Sequence, residues 1–153
     1  MILVLSGEGK TDLGELVFGT GEFKAGAMYM IIDKIIETRY TYSPYYTSKD
    51  NIKYISKDEL SKKAKSLKPI KLPGVDGKKE TAYFFRNARA LATISKEYEN
   101  SIAILFRDSD GTNSSTNSEW QDKYDSILKG FESANFKQGI AMLPKPKSEA
   151  WLI

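Results

Sequence analysis

The chain contains no cysteine and no histidine among its 153 residues. Without cysteine it can form neither a disulfide framework nor a thiolate metal site, and it has no cysteine nucleophile. Without histidine it lacks the commonest general base and the commonest transition-metal ligand. Catalysis would therefore depend on carboxylates, lysine, arginine or hydroxyl groups, and a bound metal would be a hard cation such as magnesium, manganese or calcium.

Long hydrophobic runs are also missing, since the apolar stretch after Met1 contains only Ile2 to Leu5. Such a stretch is too short for a signal sequence or a membrane span. Together with the lack of cysteine, this predicts a soluble, cytoplasmic protein that makes no use of a membrane. The length and a hydrophobic content of 41% predict a single domain over residues 1–153.

Short apolar runs predict buried strands, and helical periodicity fills the segments between them. The predicted strands are Ile2 to Leu5, Ile52 to Ile55, Ser101 to Phe106 and Gly139 to Leu143. The predicted helices cover 27–39, 57–66 and 80–100, and a further helix begins near Ser118. This alternation predicts an α/β fold with a mainly parallel central sheet of about four strands flanked by helices.

Two segments of the first half carry more specific expectations. The stretch from Leu13 to Gly26 contains four glycines and is predicted to be a loop with at most a short helical turn. The helix over 27–39 is predicted to be amphipathic. Its inward face would consist of Met28, Ile31, Ile32, Ile35 and Ile36, and its outward face of Asp33, Lys34 and Glu37.

The segment 40–79 differs in composition from the rest of the chain and is predicted to be a basic insertion rich in tyrosine and lysine. Ten lysines face four acidic residues between positions 49 and 79. A basic surface interleaved with aromatic rings could follow a phosphate backbone and stack bases. A solvated lysine face beside a packed tyrosine patch explains the same composition.

Acidic side chains follow two of the predicted strands directly. Glu8 comes after the first strand, and Asp108 and Asp110 come after the strand that ends at Phe106. If these strands are parallel neighbours, the three carboxylates converge at one edge of the sheet, where ligands concentrate in α/β proteins. They would form a site for a divalent metal of the phosphoryl-transfer type, with Lys10 neutralising phosphate charge.

These motifs resemble the Toprim domain, the catalytic module shared by topoisomerases, primases and nucleases of the overcoming-lysogenization-defect kind. The resemblance rests on EGKTD after the first strand, on DSD after a later strand and on the chain length. It implies that Glu8 is a general acid/base or a metal ligand, and that Asp108 and Asp110 bind Mg²⁺ or Mn²⁺. Arg107 would join Lys10 in stabilising phosphate charge, and Asp12 would act at the start of the following segment or behind the primary ligands.

The closing sequence PKPKSEAWLI resembles the proline and Glu-x-Trp-Leu box of RloB-type Toprim proteins, which are linked to restriction and phage-defence loci. This adds Glu149 to the candidate site. No topoisomerase tyrosine domain or primase zinc module is visible, so the resemblance implies a nuclease acting on DNA or on structured RNA such as tRNA. An ATPase sensor is the expected partner, and because the last element is cut short, a truncated or longer protein is expected.

Two other interpretations stay open at this point. Gly9, Lys10 and Thr11 match the end of a phosphate-binding P-loop, but Val4 stands where that motif needs its first glycine. Alternatively, the chain is a noncatalytic module that binds nucleic acid or a partner protein through its basic segment, with a vestigial acidic site.

Overall fold

The computed structural model describes residues 1–70, 79–109 and 117–145. The strands in this part of the chain are β1 (Ile2–Ser6), β2 (Gly14–Leu16), β3 (Phe23–Ala25), β4 (Ile52–Tyr54), β5 (Ser101–Phe106) and β6 (Gly139–Met142). Four of them form a central sheet in the order β4-β1-β5-β6, and every neighbouring pair is parallel. The predicted α/β fold with a parallel four-stranded sheet is therefore confirmed at this level.

Helices flank this sheet. They are α1 (Ala27–Tyr40), α2 (Pro44–Thr47), α3 (Lys57–Ser66), α4 (Lys79–Ser95) and α5 (Asn117–Ser133). One core lies between the sheet and α3, α4 and α5, and a second core lies between the sheet and α1. Within the described residues, no helix combines the length and the apolar character needed to cross a bilayer.

The strands supply both cores because alternate side chains of a strand point to opposite faces. In β5, Ala103 and Leu105 join the core beneath α4 and α5, whereas Ile104 and Phe106 join the core beneath α1. This burial on both faces explains why the strand is a continuous apolar run in the sequence. The residues after Phe106 therefore leave the sheet at the carboxyl end of β5.

The helices α4 and α5 approach closely at Gly130. A Cβ atom placed there would lie 2.4 Å from the Phe85 carbonyl oxygen and 2.7 Å from the Ala88 Cβ. Both contacts are shorter than real Cβ atoms show, so any larger residue would push the two helices apart. The close approach therefore fixes how α5 packs against the middle of α4.

The prediction of a loop at Leu13 to Gly26 is wrong. Gly14–Leu16 and Phe23–Ala25 pair as an antiparallel hairpin outside the central sheet. Gly14 adopts a φ of +126°, and a Cβ there would meet the Lys24 carbonyl oxygen at 2.2 Å. The glycine that suggested a loop is thus a requirement of the hairpin.

The segment 40–79, predicted to be a basic insertion, contributes to the central sheet in the residues described. Its strand β4 pairs with β1 at the edge of the central sheet, and Ile52, Ile55 and Leu60 are buried. Part of the tyrosine patch is packing, because Tyr45 and Tyr54 lie against the ring of Phe23. The lysines therefore project from an integral part of the fold.

The inward face of α1 was predicted with two errors. Asp33 is buried with only 3% of its surface exposed, whereas Ile35 is 60% exposed. The Asp33 carboxylate accepts hydrogen bonds from the Tyr29 hydroxyl, the Ser43 hydroxyl and the Tyr45 backbone N–H. These bonds compensate for burying the carboxylate and tie α1 to the start of α2.

The Tyr29–Asp33 pair predicts an alkaline dependence of stability. Burial, followed by the charge of Asp33, raises the pKa of Tyr29 well above its ordinary value of 10.0. Above pH 10 the unfolded chain loses this proton while the folded chain keeps it. The Tyr29 contribution to the free energy of unfolding is therefore complete below pH 10 and falls by about 1.4 kcal/mol per pH unit above it.

We expect Tyr29→Phe to reduce this slope in urea denaturation between pH 10 and pH 11. Tyr40→Phe is the control, because it removes a phenol from an exposed site on the same helix. If both variants keep the full slope, Tyr29 does not carry the alkaline effect.

Candidate active site

Strands β1 and β5 are parallel neighbours, with Ser6 aligned to Leu105 at their carboxyl ends. The residues that follow each strand therefore leave the sheet at the same edge. The Asp108 backbone N–H donates to the Glu8 Oε2 at 3.4 Å, across 100 positions of sequence. The structure brings Glu8 and Asp108 together, and their role as metal ligands stays a prediction.

Asp110 and Glu149 lie outside the described residues. Among the residues that the structure does describe, no three aspartate, glutamate, histidine or cysteine side chains come together as a possible metal site. The geometry on which the site rests is therefore the pair formed by Glu8 and Asp108.

Arg107 is the best-anchored side chain of this region, and it is fully buried. Its Nη1 donates to the backbone carbonyls of Phe106 at 2.6 Å and Ser6 at 3.3 Å. Its Nη2 donates to the Asn87 Oδ1 at 3.2 Å. Arg107 thus joins the carboxyl ends of β1 and β5 to helix α4.

The same guanidinium faces the candidate site. Its Nε lies 3.9 Å from the Glu8 Oε1, and the Glu8 side chain is 28% exposed. Burial lowers the pKa of Arg107 from its ordinary value, and the neighbouring Tyr83 and Glu8 oppose that shift. The guanidinium still carries its charge at neutral pH, because arginine does not deprotonate in proteins. Its charge attracts the Glu8 carboxylate and holds it in position.

This position changes the role predicted for Arg107. Arg107 has no solvent-exposed surface, so it does not contact a phosphate outside the protein. The prediction that Arg107 stabilises phosphate charge directly is therefore wrong in this arrangement. Its contacts are with Glu8, Asn87 and the strand ends. Arg107 is a positioning residue for Glu8.

Lys10 and Asp12 lie on the turn between β1 and β2. The Lys10 ammonium pairs with the Glu15 carboxylate at 3.1 Å, and its side chain is 81% exposed. Asp12 accepts a hydrogen bond from the Gly9 backbone N–H at 3.1 Å, and its backbone carbonyl accepts from Met28 N at the start of α1. Asp12 therefore stabilises the turn, and its role behind the primary ligands stays a prediction.

The geometry of this turn disfavours the P-loop interpretation. A phosphate-binding loop leads from a strand into a helix, whose N-terminus faces the phosphates. Here Gly9, Lys10 and Thr11 lead into strand β2. The first helix begins only at Ala27, after the hairpin.

Lys123 is a candidate site residue that the sequence did not suggest. It lies in α5 with 2% exposure, and its Nζ donates to the Ser109 carbonyl at 3.1 Å. The Ser109 hydroxyl in turn donates to the Pro144 carbonyl at 2.7 Å. Lys123 therefore places a cation against the backbone between Asp108 and Asp110.

Comparison of the chain with models of known protein families, with curated proteins and with solved structures found no match. The assignment of a function therefore rests on the geometry of the site and on the sequence motifs.

Proposed function

We propose that the chain is a Toprim-like, metal-dependent nuclease that hydrolyses phosphodiester bonds of DNA or of structured RNA such as tRNA. The observation that carries the proposal is the meeting of Glu8 and Asp108 beyond two adjacent parallel strands. In open α/β sheets this edge is where ligands bind. The DSD and EGKTD motifs and the anchoring of Glu8 by Arg107 support the same function.

The donor set fits magnesium. Mg²⁺ is usually held by one or two carboxylates together with water and substrate phosphate oxygens, and Glu8 and Asp108 supply two carboxylates. Asp110 is the third ligand proposed from the sequence, and Glu149 a further member of the site. When bound, the metal would polarise the phosphate and lower the pKa of a water molecule. Manganese accepts the same oxygen ligands.

The chain's own residues would orient the reacting groups. Arg107 would hold Glu8 in position, as a ligand or as the general base for the attacking water. Lys10 would neutralise charge on the phosphate, and its exposed ion pair with Glu15 is weak enough to exchange for that contact. Lys123 would offset the repulsion between clustered carboxylates.

A direct test is a cleavage assay of the purified chain on DNA, tRNA and messenger-like RNA. We expect at least one substrate to be cut in Mg²⁺ or Mn²⁺ and none to be cut in EDTA. Cleavage that persists in EDTA would contradict the metal dependence. Complete inactivity of folded protein would favour the noncatalytic alternative.

The noncatalytic alternative has one specific observation in its favour. Contacts with Arg107 and with the Asp108 N–H already engage both oxygens of the Glu8 carboxylate, as a purely structural ion pair would. The RloB-like closing motif favours the nuclease, together with a place in anti-phage defence and an ATPase sensor partner. Adding such an ATPase to an inactive chain would distinguish a silent enzyme from a binding module.

A further inference from the structure

A cleft of about 540 Å³ lies between helices α3 and α4, and neither Glu8 nor Asp108 lines it. Its walls include five cationic side chains and one acidic side chain. These are Lys57, Lys65, Lys68, Arg86 and Arg89, with Asp58 as the acid. Such an excess of one sign in a concave surface concentrates ligands of the opposite charge.

The cleft also has surfaces that suit bases and sugars. Ala64, Leu67 and Ile70 line it with apolar groups, and the half-buried ring of Tyr83 adds an aromatic group. Cations that follow a backbone, combined with aromatic and apolar surface for the bases, are typical of sites for single-stranded nucleic acid.

The inner wall of the cleft contacts the candidate site through a short chain of side chains. Asn87 lines the cleft, and its Oδ1 accepts a hydrogen bond from Arg107. The Arg107 Nε in turn faces the Glu8 Oε1 at 3.9 Å. A strand lying in the cleft would therefore be separated from the acidic pair by only two side chains.

We propose that this cleft binds a single-stranded segment of the nucleic acid that flanks the cleaved bond, with the phosphates on Lys57, Lys65, Lys68 and Arg86. That the bound strand is the substrate of cleavage rests on the proposed nuclease function. Binding of a single strand in the cleft does not require catalysis. The volume of about 540 Å³ is that of a site for a small ligand, so the cleft can admit the bases of a single strand but cannot enclose a duplex. Arg89 has a supporting part, since its Nη1 donates to the Lys68 carbonyl at 2.6 Å.

The test is fluorescence anisotropy in EDTA with a labelled oligothymidylate of about twelve nucleotides and a duplex of the same length. The cleft variant is Lys65→Ala with Arg86→Ala. Both side chains are exposed, so their truncation is expected to leave the fold intact. The control variant is Lys129→Ala with Lys137→Ala, which removes the same charge from the α5 side of the molecule.

We expect the cleft variant to bind the single strand about tenfold more weakly, with a salt-dependence slope smaller by about 1.4 for two lost phosphate contacts. The control variant should change affinity by less than about twofold. Equal losses in both variants, an unchanged affinity in the cleft variant, or a duplex bound as tightly as the single strand would each overturn the proposal. So would failure of the wild-type chain to bind either probe.

Cleavage is measured separately on the same proteins in Mg²⁺. Binding that depends on the cleft, without any cleavage, would contradict the proposed nuclease function and support the assignment of the cleft. If both cleavage and binding are unaffected in the cleft variant, the assignment of the cleft is contradicted and the proposed nuclease function is supported.

Discussion

Asp108→Asn is expected to lower the cleavage rate about a thousandfold while leaving the affinity for nucleic acid in EDTA unchanged. The amide keeps the size of the side chain and removes the negative charge that a divalent cation requires. The backbone N–H of Asp108, which contacts Glu8, is retained in the variant. The lower cleavage rate should therefore result from loss of the metal ligand and not from unfolding of the variant.

Asp122→Asn is the matched control, because Asp122 is an exposed acid on α5. It should cleave at the wild-type rate. Thermal denaturation of both variants establishes that each is folded before rates are compared. Wild-type activity in Asp108→Asn would remove Asp108 from the metal site.

Arg107→Met is expected to lower the free energy of unfolding by about 3 kcal/mol in urea denaturation. The variant fills a similar space but leaves three buried acceptors without their donor: the carbonyls of Ser6 and Phe106 and the Asn87 Oδ1. Arg107→Lys should recover only part of the loss, because one ammonium does not reproduce the planar set of donors.

Arg86→Met is the comparison for this effect, since it removes an exposed arginine from α4 and should cost no more than about 0.5 kcal/mol. A double-mutant cycle with Glu8→Gln measures the link to the site. A coupling energy of at least about 0.5 kcal/mol is expected from the contact between the Arg107 Nε and the Glu8 carboxylate. If Arg107→Met costs less than about 1 kcal/mol, its hydrogen bonds do not hold the strand ends together.

The central sheet could be predicted because its strands carry their own signal. The runs Ile2 to Leu5 and Ile102 to Phe106 are apolar without interruption, as expected for strands buried on both faces. The hairpin of β2 and β3 gave no such signal, because three-residue strands are too short to show alternation. Its glycines indicate a loop until the contact between Gly14 and Lys24 is known.

Burial of Asp33 could not be inferred from helical periodicity. A carboxylate is buried only where donors compensate for its lost hydration, and two of the three donors to Asp33 come from Ser43 and Tyr45 beyond the end of α1. No pattern within the helix contains that information. Ile35 took the outward position as a consequence.

The candidate site was predictable to the extent that it follows from topology. Acids placed directly after two buried strands meet when those strands are parallel neighbours, as they are for Glu8 and Asp108. The cations behind them were not predictable in the same way. Arg107 and Lys123 are polar by sequence, and only the packing of α4 and α5 reveals that both are buried.

The separation of Glu8 from Asp108 has a consequence for synthesis of the protein. Strand β1 is made first, but its partners β4 and β5 follow roughly 50 and 100 positions later, so its pairing requires contacts of high contact order. A nascent chain that has not reached β5 carries Glu8 without Asp108. We therefore expect the acidic pair to assemble late in folding, which keeps unfinished chains on the ribosome without a complete site.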